Sequence, residues 1–98
     1  MPKYEIQLKP SAIEDMDKLR RQDAGRVADG IERHLATEPE RTSTSRIKRL
    51  RGVSDPDYRL RIGNYRVFYS VDPAAGRVDV LRVMHKDETQ EYYQELQQ

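Results

Sequence analysis

The chain has 98 residues, enough for one domain with a single modest core, and no cysteine, which excludes disulfides and thiolate metal sites. Eighteen Lys and Arg against 17 Asp and Glu leave a formal net charge of +1, so the chain is neither a uniformly basic nor an acidic protein. The opening MPKYEIQLKP carries neither the apolar run of a signal peptide nor that of a membrane span, and a soluble, cytoplasmic protein is expected.

In chain order, KYEIQLK alternates Tyr4, Ile6 and Leu8 with polar residues, the period of a half-buried strand that Pro10 ends. Ser11 and Glu14 have the spacing of a capping box, and Ala12, Ile13, Met16 and Leu19 make a helical stripe. A second stripe of Ala24, Val27, Ala28, Ile31 and Leu35 predicts a second helix, with His34 as a structural residue on its flank, and the exposed loop TEPERTSTSR follows. IKRLRG is a short basic segment that reads as a solvated strand edge or as a backbone contact for RNA through Lys48, Arg49 and Arg51. YRLRI, Gly63-Asn64, YRVFYSVD, PAAG and RVDVLRVMH then read as three consecutive antiparallel strands, and Thr89, Tyr92, Tyr93 and Leu96 lie at the spacing of a short acidic helix. The expected fold is α+β over a single domain, residues 1–98: a small, mainly antiparallel sheet packed on an N-terminal helical hairpin, in the order β-α-α-β-β-β with a short C-terminal helix.

The net charge hides a strong segregation. Residues 1–40 carry −2, residues 41–66 carry +6 and residues 67–98 carry −3. A +6 block within a nearly neutral protein is the footprint of a polyanion site, although a solvated basic loop has the same composition. If Gly63-Asn64 is a two-residue type II′ turn, Arg61 faces Arg66, Leu60 faces Val67, Arg59 faces Phe68 and Tyr58 faces Tyr69. One face then gathers Arg59, Arg61, Arg66 and Phe68. Like charges directly opposed on a sheet work against pairing, whereas a bound phosphate turns them into a clamp that suits the planar guanidinium fork. Phe68 beside them is a ring for a base to stack on. The competing reading pairs these arginines with Asp79, Glu91 or Glu95 from elsewhere in the chain.

The run YRLRIGNYRVFYSVD, with IKRLRG before it and VDVLRVMHK and a terminal Tyr after it, resembles the RelE/ParE superfamily of toxins from bacterial toxin–antitoxin systems, over nearly the whole chain. The resemblance implies a small antiparallel sheet on two helices and a cognate antitoxin protein as partner. For RelE-like members it implies cleavage of mRNA on the ribosome without a metal or other cofactor. By position, Arg59, Arg61 and Arg66 match the basic residues of that active face, Lys86 the late basic residue, and Tyr92 or Tyr93 the terminal tyrosine. The chain departs from the best-known RelE pattern in having arginines where that pattern has lysines, and His85-Lys86 where His-Arg is common.

Cleaving RNA through its own 2′-hydroxyl needs a base, an acid and positive charge on the crowded phosphate. Arginine supplies only the charge, so proton transfer falls to His85, Lys86, Tyr92 or Tyr93, or to no residue at all. A four-residue turn after Asp72 places His85 on the arginine face. The expected activity is therefore that of an mRNA endonuclease; the alternatives are a ParE-like inhibitor of DNA gyrase, and a degenerate member that binds RNA or antitoxin without catalysis.

Overall fold

The computed structural model describes residues 3–53 and 55–97. Its elements are β1 (Glu5–Leu8), α1 (Pro10–Asp17), α2 (Arg21–Leu35), β2 (Ile47–Arg49), β3 (Tyr58–Ile62), β4 (Tyr65–Asp72), β5 (Arg77–His85), a 3-10 turn (Lys86–Glu88) and α3 (Thr89–Leu96). The sheet order is β1-β5-β4-β3-β2, antiparallel except for the parallel pairing of β1 with β5. That parallel pair requires a crossover, and the α1–α2 hairpin is the first part of it. Among the described residues no helix is long and apolar enough to cross a membrane.

The α+β expectation holds with one addition. Ile47–Arg49, read as a basic strand edge, is a short strand that pairs with β3 and forms the sheet's outer border. The α1 start also differs: Lys9 is the N-cap and Pro10 the first helical residue, with no side-chain cap, so Ser11 lies inside the first turn, Glu14 beyond it, and the capping box does not form. Pro fits there because its missing N–H has no helical partner at that position and its φ is already helical.

One face of the sheet packs on the helical hairpin. Leu60, Ile62, Val67, Tyr69, Val78, Val80 and Val83 meet Ala12, Val27, Ile31 and Leu35 there. The buried Tyr69 hydroxyl donates to the Pro39 carbonyl at 2.6 Å, and burial above all raises its pKa far above the ordinary phenol value. Of the predicted stripe on α1, Ile13 instead points to solvent.

In β5 the ladder skips one residue. Tyr69 pairs with Val80 and Phe68 with Arg82, so Leu81 is an unpaired bulge. The bulge reverses the alternation, keeping both Val80 and Val83 in the core and turning Arg82 to the opposite face.

Candidate nucleic-acid interface on the arginine face

The β3–β4 hairpin has the register expected from the sequence, with Arg61 opposite Arg66, Arg59 opposite Phe68 and Tyr58 opposite Tyr69. Gly63 has φ +57 and Asn64 is not in the left-handed region, the signature of a type II′ turn. Because Leu60, Ile62 and Val67 enter the core, Arg59, Arg61 and Arg66 are fixed on the other face. Lys48 of β2, opposite Arg59, joins them.

Among the described residues no carboxylate lies within 4.0 Å of Arg59, Arg61, Arg66 or Lys48. The acids that could have neutralised them do not reach: Asp79 pairs with Arg77 at 3.1 Å and Lys9 at 4.0 Å, and Glu91 and Glu95 make no ion pair. Arg66 is half-buried and donates to the carbonyls of Gly63 and Tyr65, each at 3.0 Å. Burial first, then the charges of Arg59 and Arg61, lower its pKa from the usual guanidinium value. Among the described residues the buried Arg59 Nε meets no hydrogen-bond partner, a costly state for a cationic donor. The face thus holds three arginines without a carboxylate, one of them with an unmet donor.

Arg82 on the same face is the contrast. It grips Asp15 of α1 with two bonds, at 2.7 and 3.2 Å, and its guanidinium lies 5.4 Å from the Tyr92 ring. The hydrogen bond to Asp15 raises its pKa against the effect of burial. Asp15 also accepts from the Val83 N–H at 2.9 Å, which closes the β5 edge beyond the bulge.

Helix α3 crosses the face and alters the role of two predicted residues. Tyr92 and Tyr93 stack edge-on against Phe68, with ring centroids 4.7 and 5.7 Å away, and Phe68 is fully buried. The expectation of an open ring for a base does not hold, because the apolar stripe of α3 needs an apolar floor and Phe68 is that floor. Tyr92 is half-buried, and burial above all raises its phenol pKa although Arg82 opposes the shift. Tyr93 is likewise half-buried where it meets Phe68.

His85 is not on the arginine face. The bulge sets it opposite Tyr65 on the helix side, where the two rings meet edge-on at 5.6 Å and His85 Nδ1 accepts from the Asp87 N–H at 3.2 Å. Lys86 starts the 3-10 turn, and its backbone N–H donates to the Asn64 carbonyl at 2.8 Å. It therefore stands beside the hairpin turn that Arg66 also contacts. Of the basic β2 segment, Lys48 is on the arginine face, Arg51 is exposed beyond the strand, and Arg49 lies on the opposite face with its guanidinium on Tyr58, 3.0 Å from the hydroxyl and 5.3 Å from the ring centre.

The model of the family described as the ParE toxin of type II toxin–antitoxin system, parDE, matches residues 6–90. The chain belongs to this toxin family. No curated protein shows significant similarity to it. Solved structures do: a chain of the RelBE2 toxin–antitoxin complex from Mycobacterium tuberculosis is 28% identical with a TM-score of 0.69, covering 85% of this chain and 98% of that one. The Escherichia coli toxin RelE, as a double arginine-to-alanine mutant in the free state, is 28% identical with a TM-score of 0.68 over 96% and 94% of the two chains. A chain of the archaeal RelE–RelB complex from Pyrococcus horikoshii is 25% identical with a TM-score of 0.63 over 85% and 94%.

In this toxin the sequence reading missed Arg82 and its partner Asp15. A signal was present: in RVDVLRVMH the valines stand at 78, 80 and 83, and unbroken alternation would have driven the charge of Arg82 into the core opposite Val67. A bulge at Leu81 is the change that removes this conflict.

Proposed function

We propose that this toxin is a metal-independent, ribosome-dependent mRNA endonuclease that inhibits translation in the cytoplasm and is neutralised by a cognate antitoxin protein. The observation that carries the reading is the trio Arg59, Arg61 and Arg66, held on one face without a carboxylate, Arg59 with an unmet buried donor. Such a face costs the free fold energy that a bound phosphate returns. Its arginines hold the non-bridging oxygens of the scissile phosphate and offset the charge that builds up as the 2′-oxygen attacks and the 5′-oxygen leaves. Lys48 and Arg51 extend the positive surface toward the flanking backbone.

Two proton transfers complete the reaction: the 2′-hydroxyl gives up its proton to a base, and the 5′-oxygen receives one from an acid. Lys86, beside the hairpin turn, and Tyr93, against Phe68, are the candidates. His85 is turned to the other side and Tyr92 is held protonated by burial, so both rank lower. The toxin–antitoxin complexes among the matched structures support a protein partner. A partner that silences this face brings carboxylates to it or displaces α3 from Phe68.

A second reading, inhibition of DNA gyrase, is favoured by the match to the ParE toxin model. One experiment separates them. The toxin is induced in cells, the 5′ ends of mRNA are mapped, and gyrase supercoiling is assayed alongside. New ends at codon positions with gyrase intact are expected; intact mRNA with blocked supercoiling selects the second reading.

A further inference from the structure

On the other side of the sheet a groove runs between α2 and the segment that enters β2. The buried face of α2 is Val27, Ile31 and Leu35. An adjoining face lines the groove with Arg21, Arg26 and Arg33, Arg46 stands among the same lining residues, and the carboxylate there is Asp29. Past His34 the groove continues to Arg41, already paired with Glu38 at 2.9 Å. Among the described residues Arg21, Arg26 and Arg33 make no ion pair and no side-chain hydrogen bond, while Arg46 donates to the Arg61 carbonyl at 3.2 Å. His34 feels this concentration of charge: burial, then Arg46 and Arg33, lower its pKa from the ordinary imidazole value.

Two glycines belong to the same lining. Gly30 has an internal reason, since a Cβ there would stand 2.6 Å from Ile62 Cδ1. Gly25 has none. It is in the interior of α2, where glycine is disfavoured relative to alanine, and a Cβ there would meet nothing within 4 Å. No contact within the fold accounts for it, whereas a ligand that approaches the helix backbone does.

We propose that this groove is a second phosphate site, holding the backbone of an RNA strand whose neighbouring segment lies on the arginine face. The two sites share an edge: the Arg61 N–H donates to the Arg46 carbonyl at 2.8 Å, so the last arginine of the groove adjoins the outermost arginine of the face. From Arg21 to Arg33 the helix spans about 18 Å, room for several phosphates. RNA fits better than a protein partner, because an amphipathic helix needs apolar anchors, and the exposed large hydrophobics among the described residues, Leu8 and Ile13, lie on β1 and α1. The inference rests on the arginine face being an RNA site and extends it.

The test is binding of labelled single-stranded RNA, one short and one long, across a range of salt, by the parent, the double variant Arg26→Ala/Arg33→Ala and Gly25→Leu, with thermal melting to verify folding. The double variant should bind short RNA like the parent, lose the tighter binding of long RNA, and flatten the log–log salt slope by about 1.4, two contacts at about 0.7 each. Gly25→Leu should stay folded, because the space is open, and also lose the advantage of length. Parental affinity and slope for long RNA in the double variant overturn the proposal and leave the arginine-face reading standing. Selective loss of duplex DNA or polyglutamate binding, with RNA unchanged, overturns it equally. A parent that binds neither RNA also overturns the proposal, while the arginine-face reading is decided separately by cleavage on ribosomes.

Discussion

Arg61→Ala separates a structural role from a functional one more cleanly than any other change on the arginine face. The side chain is exposed and makes no hydrogen bond or ion pair among the described residues, while the contacts that hold this end of β3 come from its backbone: the N–H to the Arg46 carbonyl at 2.8 Å, and the carbonyl that accepts from Arg46 Nη1 at 3.2 Å. Alanine keeps both. Two unit charges about 5 Å apart, the cross-strand spacing, repel by about 0.8 kcal/mol in water and about 3 kcal/mol at an effective dielectric of 20. Splaying and solvent screening of an exposed guanidinium keep the real value near the lower figure. The variant should therefore unfold at the parental denaturant concentration or slightly above it. Its activity should fall much further, since loss of one preorganised donor to a developing charge costs on the order of 10²–10³ in rate. The assay pairs denaturant unfolding with growth inhibition at matched expression and with mRNA cleavage on ribosomes. Parental toxicity, or a loss of about 1 kcal/mol or more in stability, would refute the reasoning: the first because no clamp is needed, the second because Arg61 then serves the fold.

Phe68→Ala should cost about 3–5 kcal/mol in denaturant unfolding, because the ring is fully buried beneath Tyr92 and Tyr93; a near-neutral variant would mean that α3 does not rest there. Asp15→Asn should cost about 2–3 kcal/mol by the same measurement, as Arg82 loses its charged partner while Val83 keeps an acceptor. The lowered pKa of His34 means that the unfolded chain binds a proton more readily than the folded one, so stability should fall as pH drops below about 6.5, and His34→Gln should remove that part of the pH dependence. In single-turnover cleavage, Lys86→Met or Tyr93→Phe should slow the reaction and shift its pH profile while His85→Gln leaves both unchanged; the opposite pattern would return His85 to the chemistry.

The hairpin was legible in the sequence because three signals agreed: a two-residue Gly-Asn turn, strict alternation on both sides, and a single register that keeps every charge out of the core. Arg59, Arg61 and Arg66 follow from that alone. Past Phe68 the register departs from simple alternation by one residue, since a bulge changes parity without changing composition, and His85 lies on the other face because of it. The spacing of Val78, Val80 and Val83 held the information, but weighing it needs the penalty for burying Arg82. The burial of Phe68 was less accessible, because it depends on where α3 docks, a long-range contact that no local period encodes. Arg49 and Arg51 looked alike as part of one basic run, and only the pairing of β2 with β3 sends Arg49 to Tyr58. The groove arginines went unremarked for the opposite reason: dispersed along α2 among Asp23, Asp29 and Glu32, they read as an ordinary solvated helix surface.

The central claim, that the arginine face cleaves mRNA, is tested most directly with purified components. Ribosomes carrying a defined mRNA are mixed with the parent toxin or with Arg61→Ala/Arg66→Ala, and the 5′ ends of the products are mapped. New ends are expected at the codon exposed on the ribosome with the parent, none on free mRNA, and none with the double variant. Intact mRNA after prolonged incubation with a folded, growth-inhibiting parent, or cleavage unchanged in the double variant, would contradict it.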